Sequence, residues 1–255
     1  MAYSEEQIAK LAVAYGEVID KRGKLVEAYT SHRYANELAA DFGKHGFARR
    51  MMTLSRCIEN VYRILPPAHI GEPVQEQRYD AMINLQAFIM NAFGAIDNLA
   101  WVWVSEKGRP LNRRGDQITD KEIGFRAHNT HVRRSMSDEF QTFIATRDSW
   151  LEYLTDFRDA LAHKIPLYIP PHAIPHDKVA AYQEFERKIT EAAIHGDVVE
   201  LERLSNQQQE LVRFMPLMRH SVRSGNKWVP FHIQLIADFN TVEEMGDKLL
   251  LELSS

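Results

Sequence analysis

The stretch from residue 75 to residue 106 constrains the fold more than any other. It is the longest and most apolar run in the chain that keeps a helical period, and such a helix belongs at the centre of a core. Within it, residues 85–104 form the most apolar segment, interrupted by Asn91, Asp97 and Asn98. Polar groups at those positions are costly in lipid, so the expectation is a buried helix and no membrane partner. Asn84, Asn91 and Asn98 recur every seven residues and share a face with only about 20° of drift per step, with Ala87, Gly94 and Ala95 between them. Either that face packs closely on a neighbouring helix that satisfies the amides, or it is a polar seam facing a cleft or a second subunit. The first is the simpler expectation.

The rest of the chain supplies partners for this helix. Residues 4–30 carry Ile8, Leu11, Val13, Ala14, Val18, Leu25 and Val26 mostly at three- to four-residue spacing, with Ser4 and Gln7 as a capping pair. A polar break over residues 31–46 precedes a second helix with Met51, Leu54, Ile58, Val61 and Leu65 on one stripe, stopped by Pro66 and Pro67. Residues 137–164 read as one helix or two abutting ones, capped by Ser137, with Phe140, Phe143, Ile144, Trp150, Leu151, Leu154, Phe157 and Leu161 inward. Two charged amphipathic helices follow, from Asp177 to His195 and from Asp197 to near Phe214, separated by Gly196, and they form an acidic hairpin. Residues 214–229 are ambiguous, and their alternation fits a short β-hairpin. A last helix from Pro230 to about Leu253 turns Ile233, Leu235, Ile236, Phe239, Val242, Met245, Leu249 and Leu253 inward.

Composition sets the class. With 255 residues, 45% of them hydrophobic, the chain can bury a large core. A net charge of −4 excludes binding of a polyanion by bulk attraction, so any nucleic-acid contact needs a local basic patch. Residues 107–134 provide one: eight Lys and Arg, among them Arg109, Arg113, Arg114 and Arg126, against three Asp and Glu, a net charge of +5. That stretch is either the phosphate-contacting region or a solvated surface. The single cysteine, Cys57, rules out an intrachain disulfide and a multi-cysteine zinc site. The N-terminus has no apolar signal core, and the expected location is the cytoplasm. His172 and His176, like His128 and His131, lack the carboxylate or second pair that a metal site needs, and no metal or other cofactor is expected.

The sequence feature richest in chemistry is T-D-F-R-D-A-L-A-H-K-I-P, residues 155–166. Here Arg158, Asp159 and His163 stand at the end of an apolar helix that prolines then break. A histidine moves a proton near neutrality, and an arginine fork holds a phosphate and stabilises charge growing on it. On a regular helix Arg158 and His163 are five steps, roughly 140°, apart. One site therefore requires the helix end to deform or two copies of the chain to face each other. Asp159 would orient the imidazole or pair with Arg158 of a dimer mate.

The R-D-A-L-A-H segment resembles the signature of the HEPN superfamily: an arginine, often followed by a polar residue, and, after four to six intervening residues, a histidine near a helix end. The resemblance covers six residues. It implies a helical bundle, commonly a homodimer in which two motifs build one cleft, and in many members metal-independent endoribonuclease activity in toxin–antitoxin, phage-defence and RNA-processing systems. On that basis Arg158, His163 and Asp159 are the candidate catalytic residues, and Lys164, Arg109, Arg113, Arg114 and Arg126 the candidate contacts to RNA. A protein partner such as an antitoxin is also implied. The expected architecture is an all-α bundle with a HEPN-like core over residues 1–171. Residues 172–255 form a helical extension with at most one short β-hairpin, the whole being one or two domains. The alternative function is a non-catalytic helical scaffold that dimerises and recruits a partner.

Overall fold

The computed structural model describes residues 3–220 and 228–254, and they form an all-α bundle with one two-stranded antiparallel ribbon. α1 (Glu5–Ser31) starts with the predicted capping box: Gln7 N–H donates to Ser4 Oγ at 3.2 Å and Ser4 N–H to Gln7 Oε1 at 2.8 Å. Leu11, Val18, Leu25 and Tyr29 face inward, whereas Val13, expected on the apolar stripe, is exposed.

The predicted polar break at 31–46 is much shorter than expected. Asn36 caps α2 (Glu37–Ala40), which runs through a π-helical turn (Asp41–Phe47) into α3 (Ala48–Ile64). The π turn is closed by Ala48 N–H bonding back five residues to Gly43 O. Its polar composition reads as loop, but Phe47 is fully buried and Gly43 lies directly under Tyr34, so tertiary contacts impose the helix. Along α3 the stripe Met51, Leu54, Ile58, Val61 and Leu65 is buried as predicted.

α4 (Gln75–Lys107) is the central helix, packed on α2, the π turn, α3, α7 and α10. By length and composition it is long and apolar enough to cross a membrane, yet 56% of its most apolar window is buried inside the bundle. Its asparagine face is met by α3. Asn60 Nδ2 donates to Asn84 Oδ1 at 2.9 Å, and Arg50 donates through Nε to Asn98 Oδ1 at 2.9 Å and through Nη1 to Asn91 Oδ1 at 3.1 Å.

Beyond α4 the basic segment is held by a Leu111–Gln117 bridge around Gly115 and by a 3-10 turn, Asp120–Glu122. α5 (Thr130–Arg134) follows, and residues 137–164 resolve into two abutting helices, α6 (Asp138–Ala145) and α7 (Asp148–His163). Ser137 Oγ accepts from Phe140 N–H at 3.2 Å. The charged hairpin consists of α8 (Val179–His195) and α9 (Val198–Gln209), joined by Gly196 in the left-handed region at φ 71°. Each of its helices has one buried residue, Ala192 and Leu204.

β1 (Leu217–Met218) pairs antiparallel with β2 (Val229–Pro230), with Leu217 opposite Pro230. The turn expected between them lies outside the described residues. α10 (Phe231–Ser254) returns to close the bundle against α1, α3 and α4. Its predicted inward residues are buried except Ile233, which is exposed. A single apolar cluster runs from Val18 to Leu253.

Candidate functional site

α7 is regular as far as His163 because its apolar face, Leu151, Leu154, Phe157 and Ala160, stays buried to the last turn. Lys164 N–H still bonds to Ala160 O at 3.1 Å, and only then does Pro166 stop the helix. No unwinding swings His163 round, so the regular helix leaves it roughly 140° from Arg158. His163 is exposed and, among the described residues, its ring makes no hydrogen bond; Arg158 is half-buried and turned towards α4.

There the Arg158 guanidinium lies 4.3 Å from the centre of the Phe93 ring, and Arg126, from the basic segment, lies 5.4 Å from the same centre. Two cations therefore share one aromatic platform. Arg158 Nη1 is 2.9 Å from Asp159 Oδ1, and its Nε is buried without a hydrogen-bond partner. Asp159 thus pairs with the arginine of its own chain and, among the described residues, makes no hydrogen bond to His163.

One turn along α4 from Phe93 stands Asp97. Burial pushes its carboxyl above the usual range, against the pull of Arg126, Arg158 and Arg50. Guanidinium groups from three separate segments thus act on one half-buried carboxyl through their charge, and none of them forms a salt bridge with it among the described residues. The sequence pointed to Arg158 and Arg126; it did not point to Arg50, Phe93 or Asp97.

The other predicted contacts divide. Arg109 stacks 5.1 Å over Trp101 and is bound to Asp120 at 2.7 Å and to Ile118 O at 3.3 Å, which makes it a brace of the basic segment. Arg113 and Arg114 are exposed at the Gly115 turn. Lys164 lies 3.6 Å from Asp156. Asp156 also holds His220, a residue the sequence reasoning passed over, at 3.1 Å. The ring of His220 meets Phe157 edge-on at 4.3 Å, and its pKa is lowered, by burial first and against the pull of Asp156. Its signal was the two-residue alternation of the 215–222 stretch, in which Met218 and His220 are the buried members of 217–220.

Compared with family models, curated proteins and solved structures, the chain matches none. Among the described residues no group of three or more His, Cys, Asp or Glu side chains converges as a metal site. What the arrangement offers is a pair of guanidinium forks over one aromatic ring, suited to a phosphate, and a solvent-facing imidazole at the end of the helix that carries Arg158.

Proposed function

We propose that this protein is a metal-independent endoribonuclease of the HEPN type, acting in the cytoplasm as a homodimer with two clefts, each built from both copies of the α7 terminus. The proposal rests on one observation: Arg158 and Arg126 hold cationic groups over Phe93, while His163, on the same helix, is exposed and unengaged among the described residues. Because the two functional faces of α7 diverge, His163 of one copy works on a phosphate held by Arg158 of the other. The imidazole takes the proton from a ribose 2′-hydroxyl as its oxygen attacks the adjacent phosphorus. The bond to the 5′ oxygen breaks, that oxygen is protonated by the imidazolium so formed or by water, and the fragments carry a 2′,3′-cyclic phosphate and a 5′-hydroxyl. Arg158 and Arg126 stabilise the charge on the pentacoordinate phosphorus. Arg113, Arg114 and Lys164, all exposed, are placed to meet the rest of the strand. An antitoxin-like partner would act by covering His163.

A second reading, a non-catalytic scaffold that dimerises and recruits a partner, is favoured by the Arg158–Asp159 pair at 2.9 Å, which makes Arg158 structural. RNA incubated in EDTA with the wild type, His163→Ala and Arg158→Ala separates the two. Cleavage to 2′,3′-cyclic ends by the wild type, lost in both folded variants, supports the nuclease. RNA left intact by the wild type supports the scaffold.

A further inference from the structure

Beside the π turn the surface opens into a cavity of about 470 Å³, with Asp41, His45, Arg49, Arg50, Asn91 and Asn98 in its wall. Its central cation is immobilised. Arg50 spends its Nε–H and one Nη1–H on Asn98 and Asn91, and the absence of a side chain at Gly94 lets the guanidinium lie on α4: a Cβ built there would fall 2.5 Å from Arg50 Cζ. A guanidinium fixed in this way loses little freedom when it takes up a ligand, and its remaining donors match a phosphate. Arg49, exposed at the rim, is hydrogen-bonded to His45 Nδ1 at 3.3 Å.

The Phe93 platform is this cavity's neighbour on α4, since Arg50 lies against Gly94, the residue after Phe93. Phe93, Asp97, Gly94, Asn98 and Asn91 follow one another around α4 within an arc of about 160°. The field of Arg50 reaches Asp97 together with those of Arg126 and Arg158. The asparagine face thus does both things the sequence left open, packing against α3 and facing a cleft. Asp97, in the middle, subtracts one charge from a run of three.

We propose that the RNA strand continues from the Arg158–Arg126 platform into this cavity, where Arg50, held by Asn91 and Asn98, binds a second backbone phosphate with Arg49 at the entrance. This rests on the nuclease reading. It assigns a substrate subsite to Arg50 and a restraining role to Asp97, whose negative charge weakens binding along the run.

The test is fluorescence anisotropy of a labelled single-stranded RNA in EDTA over a series of salt concentrations, with His163→Ala as the parent so that the RNA stays whole. Arg50→Ala and Arg49→Glu are each expected to weaken binding about tenfold and to lower the slope of log affinity against log salt by about one. Asp97→Asn is expected to tighten binding severalfold. Arg49 is exposed, so its variant decides the matter even if Arg50→Ala fails to fold. Binding lost in Arg158→Ala but unchanged in Arg49→Glu and Asp97→Asn would overturn the subsite and leave the nuclease reading standing. A parent that binds no RNA would overturn both.

Discussion

The indole N–H of Trp150 on α7 donates to Oδ1 of Asp238 on α10 at 2.8 Å, in the interior of the protein. Gln234 donates to the same oxygen at 2.6 Å, while Oδ2 is buried without a partner, as is the Tyr153 hydroxyl. Burial outweighs the two donors and pushes the carboxyl up from 3.8 to about 7. The folded protein therefore holds a proton there that the unfolded chain has released.

That proton makes stability depend on pH in a definite direction. The contribution of Asp238 is fully present below about pH 4 and is lost as pH rises through 7, a loss of the order of 4 kcal/mol. His232 acts oppositely. Burial lowers its pKa from 6.5 to about 4, and its Nε2 bonds to Leu65 O at 2.6 Å, so its contribution is gained as pH rises from 4 to 6.5. The two slopes oppose each other over that window, and the Asp238 loss continues alone from 6.5 to 7. Asp238→Asn is expected to be more stable than the wild type at pH 8, by about 2 kcal/mol, and to show no decline between pH 6 and 7.5. Urea unfolding of both proteins across pH 5–8 checks this; parallel pH profiles would rule it out.

Gly246 on α10 tells helix propensity apart from packing. Alanine in a helix is favoured over glycine by about 1 kcal/mol. A Cβ at Gly246, however, would lie 2.7 Å from Phe47 Cζ and 3.2 Å from Leu25 Cδ2, both in the fully packed core. Gly246→Ala is expected to lower stability by about 2 kcal/mol, read as a lower urea midpoint. A raised midpoint would mean that α10 has room to move.

The divergence of Arg158 and His163 gives the dimeric site a genetic signature. If each cleft takes its arginine from one copy and its histidine from the other, inactive Arg158→Ala and His163→Ala proteins regain activity when unfolded and refolded together. Half of the dimers formed are mixed and carry one intact cleft of two, so about a quarter of wild-type cleavage is expected. A mixture as inactive as its components would place both residues in a site on one chain, or in none.

Phe93 is the platform under two guanidinium groups and is only partly buried. Phe93→Leu keeps an apolar side chain but removes the ring, so it is expected to lower kcat/KM for RNA about tenfold while changing stability by no more than about 1 kcal/mol. A loss of stability with unchanged cleavage would make the ring part of the core alone.

The bundle was legible in the sequence because its signals are local. The α3 stripe Met51, Leu54, Ile58 and Val61, the caps at Ser4 and Ser137 and the stop at Gly196 each depend on spacing within a few residues. The π turn was not legible, because Asp41, Lys44 and His45 have the composition of a loop and only Tyr34 and the core around Phe47 impose helix on them. The site was half legible. Arg158 and His163 were flagged by their motif and Arg126 by the charge of its segment. Arg50 looks like any solvated arginine on an amphipathic helix until Asn91 and Asn98 are brought against it from forty residues away. Asp97 looked like an interruption in an apolar run, and its three cationic neighbours come from segments that sequence order keeps apart.

The π turn also fixes the angular phase of everything before it. One extra residue in the helix rotates Leu38 and Phe42 by about 100° relative to an unbroken α-helix continued back from Met51. In that rotated position Phe42 stacks on Trp101 at 4.9 Å, and Trp101 carries Arg109 on its indole ring. The extra residue works as a dial between two helices that are each regular. Deleting one residue from 41–47 is the smallest change that would uncouple the α2 end of the cavity from the basic segment while leaving both helices whole.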